Sequence, residues 1–297
     1  MATENIVHGT NGQLVLFLFL NIWPSHIGLP VLLATILFNK RVNRHPTFIS
    51  LCAGFILIGV ASCLLLYAGA TTGPEPTKEL CLLQASILYV RLSALVASLL
   101  ALMLVLQMFL VVRASSRKQE AQGPQTLRLW AMLGTPYVAL LLTIVVSVVV
   151  GVNHPEKVSR SRRFFYCSIE ENWLSGTIAA VGAAFLLATV VFEIWTLVII
   201  YKNYKLKGAL DLNLPLRVMA FGLYVVIAIS LSLLSVSSPS SPIPDLVIAS
   251  AATVIILIFG TQRDILRALC FWRKDPALKF NALGSSPRVG GVNNSKV

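Results

Sequence analysis

The chain has 297 residues, and its 12% share of Asp, Glu, Lys and Arg is about half the roughly 25% of ordinary soluble domains. Apolar residues make up 56% of the chain, and its mean hydropathy is +0.79. This composition excludes a pair of soluble domains and indicates a polytopic membrane protein. The net charge is +12, but the positions of the 24 Lys and Arg residues, and not the net charge, indicate how such a protein is oriented. Five cysteines are too few for a disulfide scaffold.

Seven segments are long and apolar enough to cross a bilayer, which takes about 20 helical residues because lipid offers the backbone no hydrogen-bond partners. They predict an all-α bundle of seven transmembrane helices: Leu14–Phe38, Thr47–Ala70, Cys81–Val112, Leu129–Val152, Leu174–Tyr201, Val218–Val236 and Pro242–Gly260. The bundle therefore covers residues 14–260. Residues 1–13 form a short N-terminal segment, 261–275 an amphipathic helix and 276–297 a polar, disordered tail.

Basic residues fall mostly on one side of the predicted bundle. Of the 24 Lys and Arg residues, eighteen lie in loops 39–46, 113–128 and 202–217 or in the tail, and five lie on the other side. The positive-inside rule then places the N-terminus outside the cell and the C-terminus in the cytoplasm, although the basic cluster at 160–163 points mildly the other way. We expect a multi-pass protein of the plasma membrane.

Two cysteines lie on the predicted outer side. Cys81 opens the third segment, and Cys167 lies in the loop between the fourth and fifth segments. Because both face an oxidising compartment, a disulfide between them is chemically permitted, with two unrelated free thiols as the alternative.

Arg91 lies about 15 Å below the outer surface, counted at 1.5 Å per residue from the start of the third segment. A guanidinium at this depth needs a polar interior, because exposure to lipid costs at least about 2.5–3.5 kcal/mol. Gln84 and Ser98 share its helical seam, and His26 is the histidine inside a predicted span. These four residues predict a pocket for an anionic or strongly polar ligand. The alternative is a structural role, with Arg91 tied to helix carbonyls or to Asn21 and His26.

Three further residues are candidates for a switch or for contact with a transducer. Glu193 lies in the fifth segment with Thr189 and Thr196 on its face, and Arg113 and Arg217 lie at cytoplasmic loop boundaries. A polar contact of Glu193 toward the cytoplasm is the functional interpretation. A carboxyl satisfied by the threonines and a neighbouring backbone is the alternative.

The region after the seventh segment has the pattern of an interfacial helix. Its apolar side chains form one arc and its basic side chains a stripe opposite: Ile265, Leu266, Ala268, Leu269 and Trp272 against Arg263, Arg267 and Lys274. Such a helix lies on an anionic inner leaflet. Cys270 falls between the two faces, where it is either a site of acylation or a buried thiol.

The sequence argues against an enzyme and against a bound metal or cofactor. With only His26 in a predicted span, three histidines cannot meet at a zinc ion within the membrane. Asp245 is the only aspartate in a span, which excludes an intramembrane aspartyl pair. No Gly-x-Ser-x-Gly nucleophile elbow occurs.

Seven predicted spans, an outside N-terminus, a Cys81–Cys167 link and a terminal amphipathic helix together resemble a G-protein-coupled receptor. The chain lacks the acidic-Arg-aromatic triplet and the Asn-Pro-x-x-Tyr motif of the rhodopsin-like class. Three short stretches resemble a group of receptor-like seven-helix proteins of mushroom-forming fungi: HPTFIS at 45–50, LCLLQAS at 80–86 and FGTQRD at 259–264. This resemblance covers nearly the whole chain and implies the fold and topology, but no ligand.

These features predict a receptor that senses an extracellular small molecule and signals through its basic inner loops. A heterotrimeric G protein is the expected partner, besides the lipid bilayer, and nucleic acid is not expected. The alternatives are a small-solute transporter or channel, for which repeat symmetry or half-helices would be typical, and a scaffold without a ligand.

Overall fold

In the computed structural model of the chain, the described residues are 10–39, 44–88, 90–117, 125–160, 165–169, 171–202, 213–234 and 242–269. Helices make up most of this part of the chain. They are α1 (Asn11–Ile22), α2 (Leu29–Phe38), α3 (Pro46–Ser62), α4 (Leu64–Tyr67), α5 (Lys78–Leu88), α6 (Val90–Arg117), α7 (Gln125–Asn153), α8 (Asn172–Lys202), α9 (Asn213–Leu234), α10 (Ile243–Gly260) and α11 (Arg263–Leu269). A π-helical turn (Trp23–Gly28) joins α1 to α2, and a 3-10 turn (Pro155–Lys157) leads into strand β1 (Val158–Ser159), which pairs with β2 (Ser168–Ile169).

The helical, membrane-type fold predicted from composition is confirmed in its main feature. Five stretches of helix are long and apolar enough to cross a membrane: Asn11–Phe38, Leu95–Ser116, Thr126–Asn153, Gly176–Lys202 and Ile243–Gly260. Two further apolar helices, Pro46–Ser62 and Leu216–Ala228, are shorter. Much of the outer surface of α7 and α8 is apolar and exposed, as expected of helices that face lipid.

The first helix changes its winding at Pro24, whose ring removes one backbone donor from the helix. The Ser25 hydroxyl donates a hydrogen bond to the Asn21 carbonyl at 2.5 Å in this π turn. Ser25 packs directly on Gly59 of α3, where a Cβ atom would overlap the Ser25 Cβ and lie 2.7 Å from its hydroxyl oxygen. Gly59 therefore permits close packing between the π turn and α3.

The centre of the bundle is an apolar core built mainly from α2, α3, α6, α9 and α10. Its most deeply buried side chains are Leu29, Leu51, Phe221, Ile255 and Phe259. The Phe259 ring lies 4.6 Å from the Phe48 ring and 6.0 Å from the Phe221 ring, measured between centroids. Ile265 of α11 joins the same core and is fully buried, which anchors the short helix to the bundle.

A β-hairpin covers one end of the bundle, which we call the hairpin end. Cys167 is bonded to Cys81 on α5 with a Cα–Cα distance of 5.2 Å, so the predicted disulfide is confirmed. Val158 and Ile169 face each other in the antiparallel pair. Arg160 is buried and donates hydrogen bonds to the carbonyls of residues 70 and 71, which fixes the hairpin to the loop after α4.

Candidate functional site

A cavity lies between α1, α3, α6 and α10 on the hairpin side of the core. The space in it that a water-sized sphere can occupy is about 40 Å³, enough for a few water molecules. Most of the side chains that line it are apolar: Phe17, Phe55, Ile58, Gly59, Leu88, Ala97, Ile248, Ala249 and Ala252. Its small residues Gly59, Ala97, Ala249 and Ala252 leave the space that larger side chains would fill.

The remaining lining residues form a polar end, made of Asn21, Ser62, Tyr166 and Asp245. The Tyr166 hydroxyl donates to Asp245 Oδ1 at 2.9 Å, which links the hairpin to the first turn of α10. Asn21 Nδ2 donates to the Phe17 carbonyl at 2.8 Å. The Ser62 hydroxyl donates to the Ile58 carbonyl at 2.8 Å. This end therefore combines one carboxylate with polar groups that are already oriented.

The hairpin closes the cavity as a fixed cover. The Phe165 ring stacks on Phe17 of α1 with centroids 4.4 Å apart and an interplanar angle of 5°. The Cys167 backbone N–H donates to Gln84 Oε1 at 3.1 Å, directly beside the disulfide. The cover is thus attached to α5 covalently and by a hydrogen bond, and to α1 by aromatic stacking.

Three predicted ligand-binding residues lie elsewhere than in the lining of this cavity. Gln84 is fully buried and holds the Cys167 backbone, while its Nε2 has no hydrogen-bond partner among the described residues. Ser98 is fully buried and donates to the Leu95 carbonyl within its own helix. His26 is exposed, and its Nε2 lies 2.5 Å from the Tyr67 hydroxyl. The side chain of Arg91, which belongs to α6, lies outside the described part of the structure.

Glu193 is buried between α8 and α9. Its Oε1 has no hydrogen-bond partner in the part of the chain that the structure describes, and it occupies the space that a Cβ atom on Gly222 would take. The neighbouring Thr189 and Thr196 hydroxyls donate to carbonyls within α8, at 2.9 Å and 2.7 Å, and so do not satisfy the carboxyl. Glu193 therefore packs against Gly222 of α9, and the expectation that Thr189 and Thr196 satisfy its carboxyl is wrong.

At the end of the bundle away from the hairpin, which we call the opposite end, Arg217 holds the last turn of α10. Its guanidinium donates to the Ile258 carbonyl and, at 2.8 Å, to the Thr261 hydroxyl. Arg44, just before α3, donates to the Gln262 side chain and pairs with the Asp264 carboxylate. Arg217 of α9 and Arg44, which precedes α3, thus both bind the corner between α10 and α11.

The other residues predicted to lie at the opposite end are Arg113, the amphipathic segment 261–275 and Cys270. Arg113 is exposed, with its guanidinium 5.9 Å from the centroid of the Phe109 ring. Helix α11 covers the first part of the predicted amphipathic segment 261–275, with Ile265 buried and Leu266 exposed. Cys270 lies outside the described residues.

The cavity contains residues that sequence reasoning did not select. In the sequence analysis Asp245 serves only to exclude an aspartyl pair. A lone acidic residue at the start of an apolar segment nevertheless indicates a functional position. Tyr166 directly precedes Cys167 on the predicted outer side, and this position is a second indication of a functional residue. The sequence suggests Asn21 only as a possible partner of Arg91.

No known protein family matches the chain, and no curated protein matches it. Among the described residues, no three His, Cys, Asp or Glu side chains come together as a metal site. The cavity is an apolar chamber with one polar end beneath the disulfide-linked hairpin.

Proposed function

We propose that the chain is a seven-helix receptor of the plasma membrane that binds an extracellular small molecule at the hairpin end and signals at the opposite end. The observation that carries the proposal is the cavity beneath the disulfide-linked hairpin. An oxidised disulfide belongs to the outside of the cell, so the cavity would open toward the compartment from which a ligand arrives.

The two shorter apolar helices complete seven crossings in this proposal. Helix α3 is followed, after the non-helical Cys63, by the single turn α4, and residues 46–67 together would extend about 33 Å at 1.5 Å per residue. Helix α9 has 22 residues and the same length. Both exceed a hydrocarbon core of about 30 Å. Seven crossings place the termini on opposite sides, in agreement with the concentration of Lys and Arg in the tail and the inner loops.

The closely packed apolar core favours a receptor over a transporter or channel. Between the cavity and the opposite end, the described helices are packed with apolar side chains that include Leu51, Leu100 and Ile255, each at most 3% exposed. A polar solute has no path through such a layer, because it would lose its hydrogen bonds to water without compensation. A receptor needs only to transmit a change in helix packing.

The opposite end would provide a surface that contacts the transducer. It also contains a contact between α9 and the end of α10 that signalling would break. In this proposal Arg217 holds α9 against the end of α10, and the basic loops beside it face the transducer. The resemblance to G-protein-coupled receptors, including the receptor-like group of mushroom-forming fungi, makes a heterotrimeric G protein the proposed partner.

Nucleotide exchange on purified G proteins tests this function. The full chain in lipid nanodiscs is mixed with a panel of heterotrimeric G proteins, and GTP uptake is compared with that on empty nanodiscs. We expect agonist-independent acceleration for at least one G protein, and a further rise for Arg217→Leu. Lys78→Leu is the control, since that exposed lysine lies at the hairpin end, away from the proposed transducer surface. Uptake equal to that on empty nanodiscs for every G protein would contradict G-protein signalling.

A further inference from the structure

Two buried side chains at the polar end of the cavity keep hydrogen-bonding capacity that the described residues do not use. Asn21 and Ser62 are 5% and 6% exposed, and both line the cavity. Asn21 uses one of its two amide protons on the Phe17 carbonyl, and its Oδ1 accepts no hydrogen bond from another described residue. Ser62 donates its proton to the Ile58 carbonyl and keeps its oxygen lone pairs. Both side chains therefore offer an acceptor, and Asn21 also offers a donor.

The hairpin and α10 supply further polar atoms at the same end. The Tyr166 hydroxyl donates to Asp245 Oδ1 at 2.9 Å, and both residues line the cavity. A carboxylate has about four acceptor positions, so Asp245 can receive a further donor while it keeps this bond and its other interactions. Polar atoms from α1, α3, α10 and the hairpin therefore meet at one space.

The size of this space decides what can join the four groups. A water-sized sphere can occupy about 40 Å³ of it, and one water molecule needs at least about 10–15 Å³ on this measure. About three water molecules therefore fit. Cavities that stay empty are lined by apolar groups alone, whereas water is bound where about two to four polar partners surround it. Water both donates and accepts, as a set of one amide donor and several acceptors requires.

We propose that the polar end of the cavity is a hydration site, in which about three ordered water molecules join Asn21 and Ser62 to the Tyr166–Asp245 pair. The water accepts the second amide proton of Asn21 and donates to the free acceptors. The hairpin is then attached to α1 and α3 by this network as well as by the disulfide and the ring stack on α1. This inference concerns the chain without a ligand and does not depend on the proposed function.

Hydroxyl-radical footprinting with X-ray pulses detects such water. The pulse converts water into hydroxyl radicals that oxidise the side chains next to them, so a buried ring is oxidised only where water is bound beside it. The full chain in lipid nanodiscs is irradiated, and oxidised residues are identified by mass spectrometry. We expect oxidation of Tyr166, which is 5% exposed and lines the cavity, but not of Phe221 or Phe259 in the apolar core.

Mixing with water that carries heavy oxygen, shortly before the pulse, separates bound water from bulk water. A side chain beside bulk water takes up the heavy oxygen at once. A side chain beside bound water takes up ordinary oxygen until that water has exchanged. We expect slow uptake of heavy oxygen at Tyr166 and immediate uptake at His154, an exposed residue before the hairpin.

Two buried serines provide a matched pair of variants. Ser62→Ala removes one acceptor of the network, and the loss of one hydrogen bond should speed the exchange of water at Tyr166 about two- to tenfold. Ser98 is also buried and also donates to a carbonyl of its own helix, but it does not line the cavity. Ser98→Ala should therefore leave the exchange at Tyr166 unchanged.

A variant that fills the space has its own control. Ala249 follows Asp245 by one turn of α10 and lines the cavity, so Ala249→Val places a larger side chain beside the polar end. It should abolish the oxidation of Tyr166, whereas Ala184→Val at an exposed position of α8 should not. If Ala249→Val does not fold, the contrast between Tyr166 and Phe221 in the unmodified chain still decides.

Four results would overturn the inference. Tyr166 as unreactive as Phe221 would show that no water is bound, and immediate uptake of heavy oxygen at Tyr166 would show bulk water instead of bound water. Equal exchange in Ser62→Ala and the unmodified chain would remove Ser62 from the network. Loss of oxidation when sodium chloride replaces choline chloride would identify a bound cation in place of water. A chain that activates no G protein would leave the hydration site standing and reject only the receptor.

Discussion

Gly59 permits the closest helix contact beside the cavity, so its replacement has a calculable effect. An alanine Cβ at this position overlaps the Ser25 Cβ and lies 3.3 Å from the Asn21 carbonyl oxygen. The Ser25 Cβ is fixed to its backbone, so the π turn must move away from α3. Overpacking of this kind costs about 1–3 kcal/mol. The better helix propensity of alanine returns about 0.5–1 kcal/mol, which leaves a net loss of about 0–2.5 kcal/mol in the free energy of unfolding.

The assay is unfolding of the purified protein in mixed micelles during titration with sodium dodecyl sulfate. Gly134→Ala is the matched control on α7, because a Cβ atom there meets nothing within 4 Å. We expect this control to gain about 0.5–1 kcal/mol. In the Gly59→Ala background, Ser25→Gly removes the obstructing carbon and should restore stability. Ser25→Ala keeps that carbon and should not.

Two results would refute this account of the contact. Gly59→Ala could prove as stable as Gly134→Ala, which would mean that the π turn adjusts without cost. Alternatively, Ser25→Ala could rescue as fully as Ser25→Gly, which would assign the conflict to the hydroxyl and not to the backbone-fixed carbon.

Three further predictions concern other parts of the bundle. Arg217→Leu should lower the free energy of unfolding by about 1.5–3 kcal/mol in the same titration, because hydrogen bonds from a charged donor to the end of α10 are lost, whereas Arg113→Leu should cost less than about 1 kcal/mol. Cys81→Ser and Cys167→Ser should lower surface expression equally, and the double variant should be no worse, since one substitution already opens the link. Burial, and then the charge of Arg128, lower the pKa of His45 from its ordinary 6.5, and its Nδ1 accepts the Thr47 N–H at the start of α3. This stabilisation is complete above pH 6.5 and is lost as the pH falls through the lowered pKa, so the chain should lose stability relative to His45→Asn, whose cap does not titrate.

Each of these predictions has a contradicting result. Equal losses for Arg217→Leu and Arg113→Leu would remove the special role of the α10 contact. Additive defects in the double cysteine variant, or two free thiols by mass spectrometry, would argue against the disulfide. A stability difference between the unmodified chain and His45→Asn that does not change between pH 8 and pH 5 would show that His45 does not cap α3 through an unprotonated Nδ1.

The sequence predicts the helices well because lipid imposes a simple rule on length and hydropathy. The first apolar segment was expected at Leu14–Phe38, and a helical stretch covers Asn11–Phe38. The second was expected to reach residue 70, but α3 ends at Ser62 and a single turn, α4, follows it. Cys63 separates them with a non-helical backbone, ψ 4°, a local feature that a hydropathy window averages out.

The site was harder to predict because its residues come from helices far apart in the sequence. Gln84 and Ser98, predicted to line a ligand pocket with Arg91, are both fully buried, but neither lines the cavity. Burial alone could not tell that Gln84 faces the hairpin backbone and not the cavity. Asp245 and Tyr166 are 79 positions apart, and their hydrogen bond depends on how the hairpin folds over α10. Such pairings are properties of the packed bundle and not of any one segment.

Accessibility of tags at the two ends of the chain tests the central claim most directly. Cells that express the full chain with one epitope at each terminus are stained intact and again after permeabilisation of the plasma membrane. The account predicts that the N-terminal tag is stained on intact cells and the C-terminal tag only after permeabilisation. Staining of both tags on the same side would contradict seven crossings, and an N-terminal tag confined to the cytoplasm would place the cavity and its hairpin inside the cell, away from any extracellular ligand.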